Sequence, residues 1–319
     1  IPTAKPTNCQ FTVIAEAKLT CTSKKNLKCY SNSRLLHLRT ERLTMYSGWL
    51  LTNRSGAILG VHQRIDKVSR RYLNNLIKKP SLFPDTKHIL HFEGKNGPDG
   101  IKAKSPGNDE PWHYYDPFDP EDSMLIKLVT DHYNNLVVAL KKHNKQKASF
   151  EAAWLAHALV DGLTPAHHFP YEQELSILRE GQPKETRTTL YTKIVMPGRT
   201  KLSMVANNWK MWGPRGLFTN HYVFEWGVGC VMALMRYHLC GPTSYDIKAV
   251  HEIGTVEYFK RAAREVAGLG MYEKYMKTGW TSKLARQTRD ELVPMLIKTV
   301  TLAWYSAMVE AKLISEYKD

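Results

Sequence analysis

From residue 61 onward the chain repeats apolar positions at steps of three and four. Val61, Ile65, Val68, Tyr72 and Leu76 form one series, which Lys78-Lys79-Pro80 closes. That spacing lays an apolar stripe along one side of a helix. Leu125, Leu128, His132, Leu136 and Ala139 form a second series, entered through Pro120-Glu121-Asp122. FEAAWLA, residues 150–156, is rich in strong helix formers and places a third helix at about 149–160. Further helices are expected at about 221–239, 245–267 and 282–317, the last bent at Pro294. The sequence carries no alternating strand run, repeat or glycine-rich phosphate loop. The pattern predicts an all-α, multi-helix fold.

The intervals differ in kind. Residues 80–119 are rich in Pro, Gly, Asp and Asn and read as loop. Residues 173–216 read as a long, polar, irregular insertion in a single helical domain spanning 45–319. Residues 1–44 lack either period, and the chain opens at Ile1. The short run FTVIA does not make a signal peptide. Met45 therefore reads as the native start, and 1–44 as a poorly ordered or non-native extension. A cytoplasmic location is open on that reading, and none is assigned.

Composition narrows the class only a little. The 319 residues carry a net charge of +15. Residues 1–44 hold eight Lys/Arg and two Asp/Glu, which leaves +9 for the remainder. That balance suits an anionic partner without choosing one. No uninterrupted apolar run reaches the ~18 residues of a membrane span. Cys9, Cys21, Cys29, Cys230 and Cys240 have no C-x-x-C spacing and read as free thiols, not as a disulfide framework or thiolate zinc site.

The chemistry is concentrated in HALVDGLTPAHHFPYE, residues 157–172. His157 and Asp161 are four apart, one turn above each other on one helix face. Pro165 ends that helix, and His167 follows; it is preferred over His168 on spacing. His221 and Glu225 repeat the four-residue spacing. Histidine nitrogens and carboxylate oxygens are what zinc takes, four per ion, with one position left to water in catalytic sites. His62, His113 in HYYDP and Asp85 in LFPD complete the candidates, with Asp99 the rival to Asp85. Asp85 is preferred because it follows the apolar anchor Leu82-Phe83-Pro84. His132, His238 and His251 read as helix-face residues, and Glu172 as an exposed loop acid.

The order His62, HYYDP, H-x-x-x-D-x-x-x-P-x-H and H-x-x-x-E resembles the zinc-dependent phospholipase C and S1/P1 nuclease superfamily. The resemblance covers about residues 49–230 and rests on short motifs. It implies a helical bundle around two or three zinc ions. One ion would be held by Asp85, His113, His157 and Asp161, and a second by His167, His221 and Glu225. A third would use His62 and a bridging Asp161. In the family an amino-terminal tryptophan completes that third site. Its counterpart here, Trp49, is internal, so its amide cannot serve as a free amine.

The resemblance further implies phosphodiester hydrolysis by a zinc-activated hydroxide, with Asp85 taking the proton of water. His221/Glu225 and HYYDP favour a phospholipase C-like enzyme, with peripheral contact to an anionic membrane. A single-strand nuclease is the alternative, and a non-catalytic helical protein with a structural zinc site the third. Trp209 and Trp212 would serve either as a lipid-facing lip or as stacking platforms for bases.

Overall fold

The computed structural model describes residues 60–315. The extension 1–44, Met45 and Trp49 lie outside the described residues. These form an all-α fold. The helices are α1 (Val61–Leu76), α2 (Thr86–Leu90), α3 (Pro98–Lys104), α4 (Met124–Lys141), α5 (Lys145–Gly162), α6 (Tyr171–Leu178) and α7 (Leu190–Ile194). They continue with α8 (Lys201–Trp212), α9 (Leu217–Leu234), α10 (Ser244–Ile253), α11 (Thr255–Gly268), α12 (Met271–Thr278), α13 (Ser282–Gln287) and α14 (Val293–Glu310).

Two helices make the centre. α5 and α14 are buried along most of their length, and α1, α4 and α11 pack around them. The α5 sequence explains its place. Ala148, Ala152, Ala153, Ala156 and Ala158 let neighbouring backbones come close, while Leu155 and Leu159 fill the gaps. Truncating either leucine to alanine costs about 2–5 kcal/mol by cavity formation. Trp304 of α14 is fully buried, and its indole N–H donates to the Ala152 carbonyl at 3.1 Å. Asn144 caps α5 by accepting from the Lys147 amide. At the other end Gly162 is required by proximity. A Cβ there would stand 2.4 Å from Phe259 and 2.8 Å from Leu125.

Ser282–Glu310 is long and apolar enough to cross a membrane, and 72% of its most apolar window is buried inside the protein. That is the pattern of a core helix. A π turn, Thr288–Leu292, joins α13 to α14 just before Pro294, which has no N–H to continue the regular ladder.

Several intervals are more ordered than their composition predicts. Residues 80–119 contain α2 and α3, and 173–216 contain α7, α8 and most of α6. The helix expected over 245–267 is two helices, α10 and α11, divided at Gly254, whose φ of +81° suits glycine alone.

Candidate metal centre

Four helices, a 3-10 turn and a loop bring donors to one place. α1 carries His62, α5 carries His157 and Asp161, and α9 carries His221 and Glu225. A 3-10 turn after α5, Pro165–His168, carries His167. His113 lies on the segment leading to Tyr115, whose amide donates to the His167 carbonyl at 3.1 Å. Asp99 sits in the first turn of α3. That short helix is pressed against the loop before it, where a Cβ on Gly100 would meet the Gly94 and Lys95 carbonyls at 2.3 Å.

Asp161 is the hub. Its Oδ2 lies 2.7 Å from His113 Nδ1 and 3.3 Å from His157 Nε2. Its Oδ1 lies 3.4 Å from His62 Nε2 and 3.5 Å from His167 Nδ1. Beyond it, Glu225 Oε1 lies 2.9 Å from His167 Nε2 and 3.0 Å from His221 Nε2. The His62 and His157 rings stack in parallel at 3.8 Å. Among the described residues three donor groups result: His62, Asp99 and His157; His113, His157 and Asp161; His167, His221 and Glu225. Within each, the donor atoms all lie within 4.8 Å of one another.

The donors suit a cation. A buried carboxylate needs a positive partner, and the ion pairs of Asp161 and Glu225 are all with histidines. Among the described residues His113 Nε2 and His221 Nδ1 have no hydrogen-bond partner, and His157 Nε2 has only its ion pairs with Asp161 and Asp99. His167 Nδ1 must carry its proton, because it donates to the His113 carbonyl at 2.8 Å. That fixes the tautomer and leaves Nε2 for ligation.

The protein's own charges are pulled hard here. Burial opposes charge on His157, but Asp161, Glu93 and Asp99 outweigh it and hold its pKa up at about 10. Burial and then Lys102 push His113 down to about 4. Burial opposes charge on Asp161 as well, yet the surrounding histidines hold its carboxyl well below the ordinary value.

Asp85 is not among these residues. Phe83 does anchor the preceding turn, packing on Trp304 at 5.4 Å. Buried Arg70 fixes the same turn, bonding the Pro80, Phe83 and Pro84 carbonyls. The anchor leaves Asp85 at the entrance to α2 with its side chain 75% exposed, 3.8 Å from His88. Asp99 faces the donors instead, with Oδ1 3.7 Å from His113 Nδ1 and 3.9 Å from His157 Nε2. His168 donates to the Gly162 carbonyl and joins none of the donor groups. Glu172 is not an exposed loop acid; it pairs with buried Arg187 at 2.9 Å.

Two acids escaped the sequence reading. Glu93 is fully buried, with Oε2 3.2 Å from His157 Nδ1. Asp66 is buried near it, and burial followed by Glu93 raises its pKa well above the ordinary carboxylate value. Asp66 stands four residues after His62, the spacing that singled out the other two pairs, so the signal was present. Glu93 lies in a loop, where no period marks it.

The donors open on a pocket of about 260 Å³. His62, Asp99, Asp161, His167 and Glu225 line it, together with Tyr171, Met211, Trp212, Phe218 and Tyr222. Lys102 also lines it, with its ammonium 5.0 Å over the Tyr114 ring. Comparison of the chain with models of known families, with curated proteins and with solved structures gives no match.

Proposed function

We propose that this protein is a metal-dependent phosphodiester hydrolase, with phospholipid as the favoured substrate. One observation carries the reading: three donor groups, linked through His157 and Asp161, open on a pocket that also presents a lysine. A closed structural site needs only four ligands around one ion. Here the donors exceed that number, and all of them but His157 line the pocket. The motif order shared with the zinc-dependent phospholipase C and S1/P1 nuclease superfamily supports the same reading.

His113, His157 and Asp161 would hold one ion and His167, His221 and Glu225 a second; His62 and Asp99 with His157 form a set that competes with the first, because His157 has one nitrogen, Nε2, to give. Bound zinc would supply Lewis acidity toward a phosphoryl oxygen and a hydroxide nucleophile at neutral pH. The remaining roles belong to the chain. Lys102 offers its charge to a non-bridging phosphate oxygen. Asp99 is 27% exposed and lines the pocket, where it can accept a proton from water. The apolar wall of Met211, Trp212 and Phe218 shelters the leaving group's carbon skeleton and thins the water around the phosphate.

The test is metal content and turnover of the purified full chain. Two or three zinc ions per chain, with release of headgroup from phosphatidylcholine or phosphatidylinositol, is the expected result. Hydrolysis of single-stranded DNA or RNA alone would move the substrate to nucleic acid. One ion or none, with no hydrolysis of any of these, would make the centre structural.

A further inference from the structure

α8 buries one apolar residue, Met211, and leaves most of its apolar side chains outside. Its inward side also carries Asn207 and Asn208. Asn208 bonds both the amide and the carbonyl of Met196, at 3.0 and 2.8 Å, and Asn207 donates to the Pro197 carbonyl at 2.9 Å. Its outward side carries Leu202, Val205 and Trp209, which are 83%, 64% and 68% exposed. A surface helix of a water-soluble protein has the opposite arrangement. α7 adds Leu190, Tyr191 and Ile194, all exposed. Trp212 and Ile194 also line the candidate site's pocket, and the Trp212 indole N–H donates to the Ile194 carbonyl at 2.8 Å. The apolar face therefore runs to the pocket's edge.

The charge around this face leans positive. Residues 184–216 hold seven Lys/Arg and a single acid, Glu185. Lys184, Arg187, Lys193 and Arg199 pair with Glu172, Glu110 and Glu180, and Lys201, Lys210 and Arg215 are exposed. We propose that the outward face of α7 and α8 docks on the surface of an anionic phospholipid bilayer, with the pocket's mouth at the headgroup level. This deepens the hydrolase reading but stands on a separate observation.

An apolar helix face rimmed by Lys and Arg, with a tryptophan at its edge, is what partitions into the headgroup boundary. Leucine and valine contribute there by burial of area. They offer nothing to nucleobases, which stack on planar rings, and most of this face is aliphatic. Two copies of the chain would bring like-charged rims together, which opposes self-association.

The full-length chain should be sedimented with vesicles of phosphatidylcholine alone and with vesicles containing about one part phosphatidylserine in four. Binding to the anionic vesicles is expected. Leu202→Glu with Val205→Glu should reduce it at least about ten-fold, because two apolar side chains leave the bilayer and two charges of the wrong sign arrive. Thermal unfolding of that variant should match wild type, since both positions are exposed. Lys201→Glu with Lys210→Glu should lower binding to the anionic vesicles.

Wild type left in the supernatant overturns the proposal, as does undiminished binding by the Leu202/Val205 variant. A dimer that dissociates in that variant, without vesicle binding, assigns the face to a second copy. Capture of a single-stranded oligonucleotide that is lost in Trp209→Ala, without vesicle binding, assigns it to nucleic acid. Headgroup release measured on the same samples separates the two readings. Binding without release sinks the hydrolase alone, and release that ignores Leu202 and Val205 sinks the docking alone.

Discussion

Glu93 Oε2 lies 3.2 Å from His157 Nδ1, and both side chains are withdrawn from solvent. The contact fixes the imidazole so that Nε2 points at Asp161 and Asp99. A carboxylate behind a metal-binding histidine orients the ring and raises its basicity. Glu93→Gln should therefore weaken zinc binding by about 10–100-fold while the chain still folds. Competition with a chromophoric chelator measures this; unchanged affinity would reduce Glu93 to packing.

Asp161 and Asp85 give a contrasting pair. Asp161→Asn should abolish hydrolysis and cost at least one zinc per chain, because one side chain touches four histidines. Asp85→Asn should change neither, since that carboxylate faces solvent, whereas Asp99→Asn should lower turnover. Elemental analysis and initial rates on the three variants check this together.

Lys102→Gln should act on substrate more than on metal. The lysine lines the pocket but belongs to none of the three donor groups. Loss of one charge-assisted bond to phosphate should raise KM about ten-fold, with zinc content unchanged. A loss of zinc in this variant would contradict the assignment.

The Glu172–Arg187 pair gives a pH signature. Burial alone would raise the Glu172 pKa, but the hydrogen bond and charge of Arg187 outweigh it and hold the carboxyl below its ordinary 4.5. The pair's contribution is thus complete above pH 4.5 and is lost as pH falls through the lower, folded value. Glu172→Gln should cost about 1–3 kcal/mol at neutral pH. Its melting temperature should converge on wild type as the medium is acidified below that range. A gap that stays constant with pH would show that the charge is not what matters.

Gly162→Ala tests the end of α5, next to the candidate metal centre. The added methyl would overlap the Phe259 ring and Leu125. Overpacking of this kind costs about 1–3 kcal/mol. Chemical denaturation should report that loss, and Phe259→Leu in the same chain should recover part of it.

The helical donors were legible because a helix converts spacing into direction. His157 with Asp161 and His221 with Glu225 sit one turn apart, and each pair does meet the other donors. The loop donors were not. The choice between Asp85 and Asp99 turned on an apolar anchor that is real, but Phe83 ties its turn to Trp304 and leaves the acid outside. Asp99 stands beside the donors on α3, a short helix whose Gly100 packs closely on residues 94–95, a fold that the Pro- and Gly-rich composition of 80–119 does not announce. The helices of 173–216 were hidden for another reason. They are short, and α8 turns Asn207, Asn208 and a single apolar residue, Met211, inward, so core-seeking periodicity finds no stripe to follow.

Asp161 rides on the same helix whose alanines and leucines knit the interior together. Its companions His62 and His157 likewise belong to principal struts. If the proposed ions bind, ion capture and folding draw on a common set of atoms, and occupancy would add to stability by mass action. On that reading, scarcity of the ion would make the polypeptide open more often and fall to proteases sooner, so the supply of metal would set how much of this protein persists.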